Sequence, residues 1–231
     1  MSANPGMRIR KTFERPAPEA IARFAGIPAS NVGDVTGRLL TMNARIRPMG
    51  KGKRLLGTAL TVHSALGDNF IFHKALSLAQ PGDVIVVNAS GDENYSVCGD
   101  VMFRYAMSRG VAGFVVDGSV RDMGFLLSNE FPVYALGATP RGPYKIPVGE
   151  INMPVACGGQ VVEAGDLIIG DEDGVTVVRR SDIDIAYQKV TEVQKKEVHM
   201  GELIARGQWE EGPVLTSIDA DLQRLGFEII E

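Results

Sequence analysis

An α/β fold with layered helix and sheet is predicted by three features of this 231-residue chain. Residues 55–137 alternate short apolar runs with helix-like segments, the rhythm of βαβ units. From residue 145 onward the pattern turns β-rich, as antiparallel strands would. Apolar residues make up 45% of the chain, enough to fill one sizeable core.

The elements follow in order. Residues 1–16 read as an arm, ordered only where a neighbour holds it. APEAIARFAGI (17–27) reads as a short helix, and a second, capped by Ser30 or Asn31, reaches Leu40. LLGTALTVHSA (55–65) mixes β-branched and small residues and reads as a strand. DNFIFHKALSLA (68–79) reads as a helix with Asp68 at its cap and the Pro81-Gly82 turn beyond its end. DVIVVNA (83–89) is a short apolar run, the mark of a buried strand. Gly99–Arg109 reads as a helix stopped by Gly110, then VAGFVV (111–116) as a strand. Residues 122–129 form a short helix and FPVYALG (131–137) another strand. IPVGEINMPVACGG and DLIIGDEDGVTVV supply the later strands. PGDVIVV (81–87) and AGDLIIG (164–170) echo each other, each a turn delivering the chain into a strand. Ser181 caps a long helix to about Arg206, and the tail adds a short helix and a few extended residues. These elements place the α/β domain at 17–180 and a helical extension at 181–231.

Composition excludes several classes. The net charge is −4 and no Lys/Arg run exceeds two residues, which argues against a nucleic-acid or anionic-membrane surface. No apolar run approaches the ~20 residues of a membrane span, and MSANPGMRIRKTFERP has no signal-peptide core. Cys98 and Cys157 form no CxxC and read as reduced thiols of a cytoplasmic protein. His63, His73 and His199 are dispersed and make no zinc-type cluster. His73 reads as a packed residue, with a pocket wall as the alternative. GDEDGV lacks the flanking helices and third acid of a calcium loop and reads as a hairpin turn.

One stretch carries chemistry: GDVMFRYAMSRGVAGFVVDGSVRD, residues 99–122. A helix of eleven residues is roughly 16 Å long and a strand of six roughly 20 Å. If the strand returns along the helix, Asp100 meets Arg121 and Asp122. That place lies beyond the C-terminal end of a buried strand, where open α/β sheets bind ligands. The free N–H groups of Val101 and Met102 would add the positive end of a helix, and Arg121 a planar fork for a carboxylate. Two nearby carboxylates suit a hard cation such as Mg²⁺. A plainer reading also fits: Asp100 as an ordinary first-turn acid, and Arg121-Asp122 as a solvated turn. Asp68 and Asn69 either cap their helix or border a substrate.

The stretch resembles the D-x20-R-D pattern of class II, metal-dependent pyruvate aldolases in the RraA-like superfamily, such as 4-hydroxy-4-methyl-2-oxoglutarate and 4-carboxy-4-hydroxy-2-oxoadipate aldolases. GDN (67–69), PGDVIVV, GSVRD (118–122), NMPVACGG (152–159) and GDEDGV extend the resemblance from about Glu19 to the end. It implies a layered αββα sandwich with a C-terminal helical extension. It implies cleavage of 4-hydroxy-2-oxo acids to pyruvate through an enolate, with oxaloacetate decarboxylation as a side activity. It implies Mg²⁺ or Mn²⁺ held directly by Asp122 and through water by Asp100. Arg121, Gly99, Val101, Met102 and Asn69 would bind the substrate.

The long helix from Asp182 has an apolar stripe of Ile183, Ala186, Val190, Val193, Met200 and Ile204, interrupted by Glu197. Either the stripe leaves the core there, or the helix crosses to a neighbour. The resemblance implies the second: Glu197 would reach the metal waters of an adjacent subunit in a trimer or hexamer. The alternative within the superfamily is a non-catalytic regulator of a ribonuclease. Those proteins resemble a shorter chain without the Glu197 helix and tail. Asn31-Val32-Gly33-Asp34 departs from the family's usual Ser-Asp-Ala-Leu-like start. Arg141 and Lys145 are candidates for the distal part of the substrate, against a reading of TPRGPYK as a solvated loop.

Overall fold

A computed structural model of the protein describes residues 4–228 and residue 230. It divides into two compact units, Met1–Tyr187 and Gln188–Glu231.

The first unit opens with the arm, which is held by its own chain. Ile9 bridges Ile151, Arg10 N–H donates to the Ile151 carbonyl, and Ile151 N–H donates to that of Arg8. Arg15 then forks onto Asp83, Nε to Oδ1 at 2.9 Å and Nη2 to Oδ2 at 2.8 Å. The Asp83 side chain is 1% exposed, so removing the arginine strands a buried charge. Arg15→Ala should cost about 3 kcal/mol, read as a lower urea midpoint at unchanged m-value.

Helices α1 (Pro18–Ala22) and α2 (Ala29–Val35) are shorter than the spans 17–27 and 31–40 read from sequence. Gly26 and Gly37 adopt φ of +80° and +69°, which ends helical geometry just beyond each. Ser30 and Asn31 lie inside α2 and do not cap it. The cap comes from a distant strand instead: Ala29 N–H donates to Asp171 Oδ2 at 2.7 Å.

The sheet follows. After β1 (Arg47–Pro48) the chain alternates β2 (Leu55–Ser64), α3 (Phe70–Leu78), β3 (Asp83–Ser96), α4 (Asp100–Ser108), β4 (Gly113–Val120), α5 (Met123–Ser128) and β5 (Val133–Ala138). Strands β2 to β5 pair in parallel. Next come β6 (Gly149–Ile151), the hairpin β7 (Val155–Cys157) and β8 (Gln160–Val162), and the hairpin β9 (Leu167–Asp171) and β10 (Gly174–Val178). The main order is β1-β5-β4-β3-β2-β9-β10, with β6 on β2 and β7-β8 as a separate small sheet. Asp173 N–H donates to Asp171 Oδ1 in the GDEDGV segment, the expected hairpin turn.

Alternation along each strand separates two cores. Ile85, Val87, Phe114 and Val116 face α3 to α5, against Phe72, Leu76, Phe103 and Leu126. Val84, Val86, Val115 and Tyr134 face the small sheet, against Val155, Cys157 and Val162. Burial on both faces explains why DVIVV reads as a continuous apolar run. Helices, large sheet and small sheet therefore form layers, with α2 beside β10, where Thr176 Oγ1 donates to the Ala29 carbonyl.

The echo of PGD and AGD has one local cause. Asp83 Oδ2 accepts Gln80 N–H at 2.8 Å, and Asp166 Oδ2 accepts Glu163 N–H at 2.9 Å. Each aspartate closes a turn on the amide three residues back, with a positive-φ glycine just before it (Gly82, Gly165).

Helix α6 (Ile183–Ala205) starts in the first unit, where Tyr187 packs edge-on against Phe24 at 5.5 Å. A 3₁₀ turn, Arg180–Asp182, precedes it, and Ser181 Oγ lies 2.7 Å from Asp182 Oδ1. Ser181 is thus part of that turn rather than the cap of α6. The second unit holds the rest of α6, a 3₁₀ turn at Trp209–Glu211 and α7 (Pro213–Leu225), which is longer than the short tail helix expected. Gly226, at φ +75°, ends α7. Among the described residues, no helix is long and apolar enough to cross a membrane.

Candidate functional site

The site forms where β3 enters α4 and β4 enters α5. Pairing between β3 and β4 shifts register after Asn88 and again after Asp92, so the end of β3 leaves the regular ladder before α4 begins. Gly110, at φ +71°, stops α4 and lets β4 return beside β3. The two ends of the 99–122 stretch then meet, as its lengths imply. Arg121 N–H donates to the Cys98 carbonyl at 3.0 Å. Asp122 Oδ2 accepts Asp100 N–H at 2.9 Å.

Asp122 adopts φ +61°, ψ +45°, a left-handed conformation that aspartate tolerates better than most residues. This bend places its carboxylate under the start of α4 rather than on the first turn of α5, where it caps nothing. Arg121 Nε lies 3.6 Å from Asp122 Oδ2. Arg104 Nε lies 3.5 Å from Asp100 Oδ2, and its guanidinium covers the Phe125 ring at 4.6 Å. Arg121 and Asp122 are both solvent-exposed, as a solvated turn would be, and are also joined to the start of α4 by these contacts.

Gly99 makes the junction possible by its lack of a side chain. A Cβ there would sit 2.3 Å from Asp122 Oδ2 and 2.9 Å from Arg121 Cγ. Its φ of −157° is ordinary extended backbone, so the constraint is space alone. Gly99→Ala should keep the fold by circular dichroism yet push both charged groups aside. In a catalytic site an ångström of displacement lowers turnover by about a hundredfold, which steady-state kcat/KM reads.

The helix start differs from expectation in one respect. Met102 N–H is not free: it donates to the Gly99 carbonyl at 3.0 Å, which Phe103 N–H also reaches. The tight first turn takes that donor. Val101 N–H has no acceptor among the described residues and stays available at the positive end of α4.

These groups open on a cavity of about 350 Å³. Asn69, the N-cap residue of α3, borders it. Its Nδ2 donates to the Val97 carbonyl at 3.0 Å, a partner that can only accept and so sets the amide's orientation. Oδ1 is then a buried acceptor without a donor among the described residues.

Four wall residues are legible in the sequence only as alternatives or not at all. His73 and Lys145 line the cavity, together with Gly142 and Pro143 of the loop after β5. TPRGPYK is an exposed loop, as its composition suggests, and three of its residues also line the cavity. Arg141 turns away to cover the Tyr95 ring at 5.3 Å. Burial, and then Lys145, push the His73 pKa below its ordinary value, so the imidazole is neutral near pH 7. Cys98 also touches the cavity, but burial raises its thiol pKa far above the usual range, which leaves it a packing residue and no nucleophile.

Glu197 belongs to the second unit, on an exposed part of α6, and not to the unit that carries the other predicted residues. Among the described residues, no three His, Cys, Asp or Glu side chains gather where they could hold a metal.

Three comparisons bear on this site. The model of the RraA-like family, described as Aldolase/RraA, matches residues 29–177. A Halalkalibacterium halodurans protein, provisionally named 4-hydroxy-4-methyl-2-oxoglutarate aldolase, is 38% identical over 174 residues, which is 75% of this chain and 83% of that protein. The structure of the RNA-processing inhibitor RraA from Thermus thermophilis is similar at a TM-score of 0.60 and 28% identity, over 65% of this chain and 91% of that one. An uncharacterized protein from Pseudomonas syringae shares the fold at a TM-score of 0.73 and 22% identity, over 84% of this chain and 96% of that one. The family match spans more than half of the chain and includes the whole Asp100–Arg121–Asp122 junction, so this protein is a member of the RraA-like family.

Proposed function

We propose that this protein is a carbon–carbon lyase, a class II aldolase that cleaves 4-hydroxy-2-oxo acids to pyruvate and a second oxo-acid. One observation carries the reading: Asp100, Arg121 and Asp122 converge around Gly99 at the mouth of a cavity large enough for a small dicarboxylic acid.

The donor set fits a hard divalent ion. The Asp100 and Asp122 side chains are each 39% exposed and border one cavity, and Mg²⁺ is usually held by one or two carboxylates plus waters. Asp122 would hold Mg²⁺ or Mn²⁺ directly, with Asp100 beside it and Glu197 of a second copy through water. Bound there, the ion supplies Lewis-acid polarisation of the 2-oxo acid.

The chain's own groups do the rest. The Arg121 fork and the Val101 N–H receive the pyruvyl carboxylate. When the C3–C4 bond breaks, its electron pair passes to C3 and the C2 oxygen becomes an enolate oxygen. Arg121 and the positive end of α4 stabilise that developing charge without reorganising. The proton leaving the C4 hydroxyl passes to a base on the Asp100 side of the cavity, and return of a proton to C3 converts the enolate to pyruvate. Lys145, which also lines the cavity, would supply a cation for the far acid group. The same enolate forms when oxaloacetate loses CO₂, so decarboxylation is an expected side activity. Oligomerisation to a trimer or hexamer follows if Glu197 is shared between copies.

Pyruvate release from 4-hydroxy-4-methyl-2-oxoglutarate and from oxaloacetate, with Mg²⁺ and then with EDTA, tests this. Metal-dependent release from the first is the expected result. No release from either would favour a second reading, a non-catalytic regulator that binds a ribonuclease; the Thermus relative is named an RNA-processing inhibitor. That relative aligns over 91% of its own length and 65% of this chain, so the assay and not the match separates the two readings.

A further inference from the structure

Asp68 is a fully buried carboxylate that the proposed chemistry does not use. A buried acid is costly unless its oxygens are satisfied. Here the partners are backbone amides of Phe70 and Ile146, each next in the chain to a residue that lines the cavity, Asn69 and Lys145. Oδ1 accepts Phe70 N–H, the first residue of α3, at 2.8 Å. Oδ2 accepts Ile146 N–H, at the end of the loop after β5.

Other bonds run beside this tie. Tyr144 N–H donates to the Gly67 carbonyl at 2.8 Å, and Asn69 N–H to the Tyr144 carbonyl at 3.3 Å. At the far end of the loop, the Arg141 carbonyl accepts Ser96 N–H at 2.8 Å and Ser96 Oγ–H at 2.9 Å. The loop is therefore clamped on either side of the residues it contributes to the cavity. Lys145 directly precedes Ile146. Gly142 backs the Arg121 guanidinium: a Cβ there would lie 3.2 Å from Nη1.

We propose that Asp68 is a positioning residue for substrate recognition, its carboxylate holding the 139–146 loop over the cavity so that Lys145 meets the far acid group of the substrate. What enters the cavity rests on the aldolase reading; the tie itself does not. Only a carboxylate does this in so small a space, because each oxygen accepts from a different segment, the start of α3 and the loop after β5. An asparagine of the same shape presents N–H groups to one of them and breaks that bond.

The test combines hydrogen exchange with a double-mutant cycle. In Asp68→Asn, exchange of the Ile146 amide should quicken at least about tenfold, because the amide loses its acceptor. KM for 4-hydroxy-4-methyl-2-oxoglutarate should rise about tenfold with kcat within about threefold. Lys145→Met should raise KM similarly, and the double variant should be little worse than either, because both changes remove one interaction. Unchanged Ile146 exchange, additive KM effects, or a loss confined to kcat would overturn the proposal. If Asp68→Asn does not fold, Ile146→Pro deletes the donor and must give the same KM effect. Absence of turnover in the unaltered protein, with the exchange contrast intact, would sink the aldolase reading and leave the loop tie standing.

Discussion

Asp122→Asn should lower metal-dependent pyruvate release by about a thousandfold, the size of effect expected when a charge that organises a developing enolate is lost. Asparagine is the informative substitution here. It tolerates the left-handed φ of +61° at this position. Its amide oxygen can still accept Asp100 N–H, which Asp122 Oδ2 now does at 2.9 Å. Shape and backbone are kept while the negative charge is removed. The melting temperature should stay within a few degrees, and titration calorimetry should show weakened Mg²⁺ binding. A variant that turns over at the unaltered rate would remove Asp122 from the proposed metal site. Alanine would confuse the result, since it also loses the acceptor and strains the bend.

Arg121→Lys should cost about a hundredfold in kcat/KM, and Arg121→Ala about a thousandfold. A lysine retains the charge but not the planar fork that meets two oxygens of a 2-oxo acid at once. The backbone of residue 121 is held independently, by its N–H bond to the Cys98 carbonyl. Its side chain is 46% exposed, so neither substitution empties the core. Circular dichroism and melting should therefore be unchanged, and the loss should appear in steady-state pyruvate release. Equal rates for Lys and Arg would mean that position 121 acts only as a point charge.

Both predictions rest on residues that local pattern reveals. The helix over 99–109, its glycine stop and the apolar strand after it have lengths that bring Asp100 to Arg121 and Asp122. That inference needs only helical rise, strand rise and a return of direction. The buried strands were legible for a similar reason: burial on both faces leaves a continuous apolar run such as DVIVV. The hairpin at GDEDGV and the paired PGD and AGD turns are likewise local, each closed by an aspartate on an amide nearby.

Other features depend on partners far away in the chain, and no local pattern carries them. The α2 cap comes from Asp171, 142 residues beyond Ala29. The arm is ordered by Ile151 and Asp83. TPRGPYK is solvated as its polar, turn-forming residues suggest, but that it is also tied to the cavity edge by Ser96 and Asp68 has no local signal. Helix position alone offers Met102 N–H as a free donor, but the tight turn at Gly99 consumes it. Sequence by itself determined the strand and helix rhythm and the meeting of the acidic and basic groups, because both follow from spacing along one stretch. Only the tertiary structure decided which amides stay free, which loop closes the pocket and how Asp122 bends, because hydrogen bonds between distant segments leave no periodic signal in the chain that makes them.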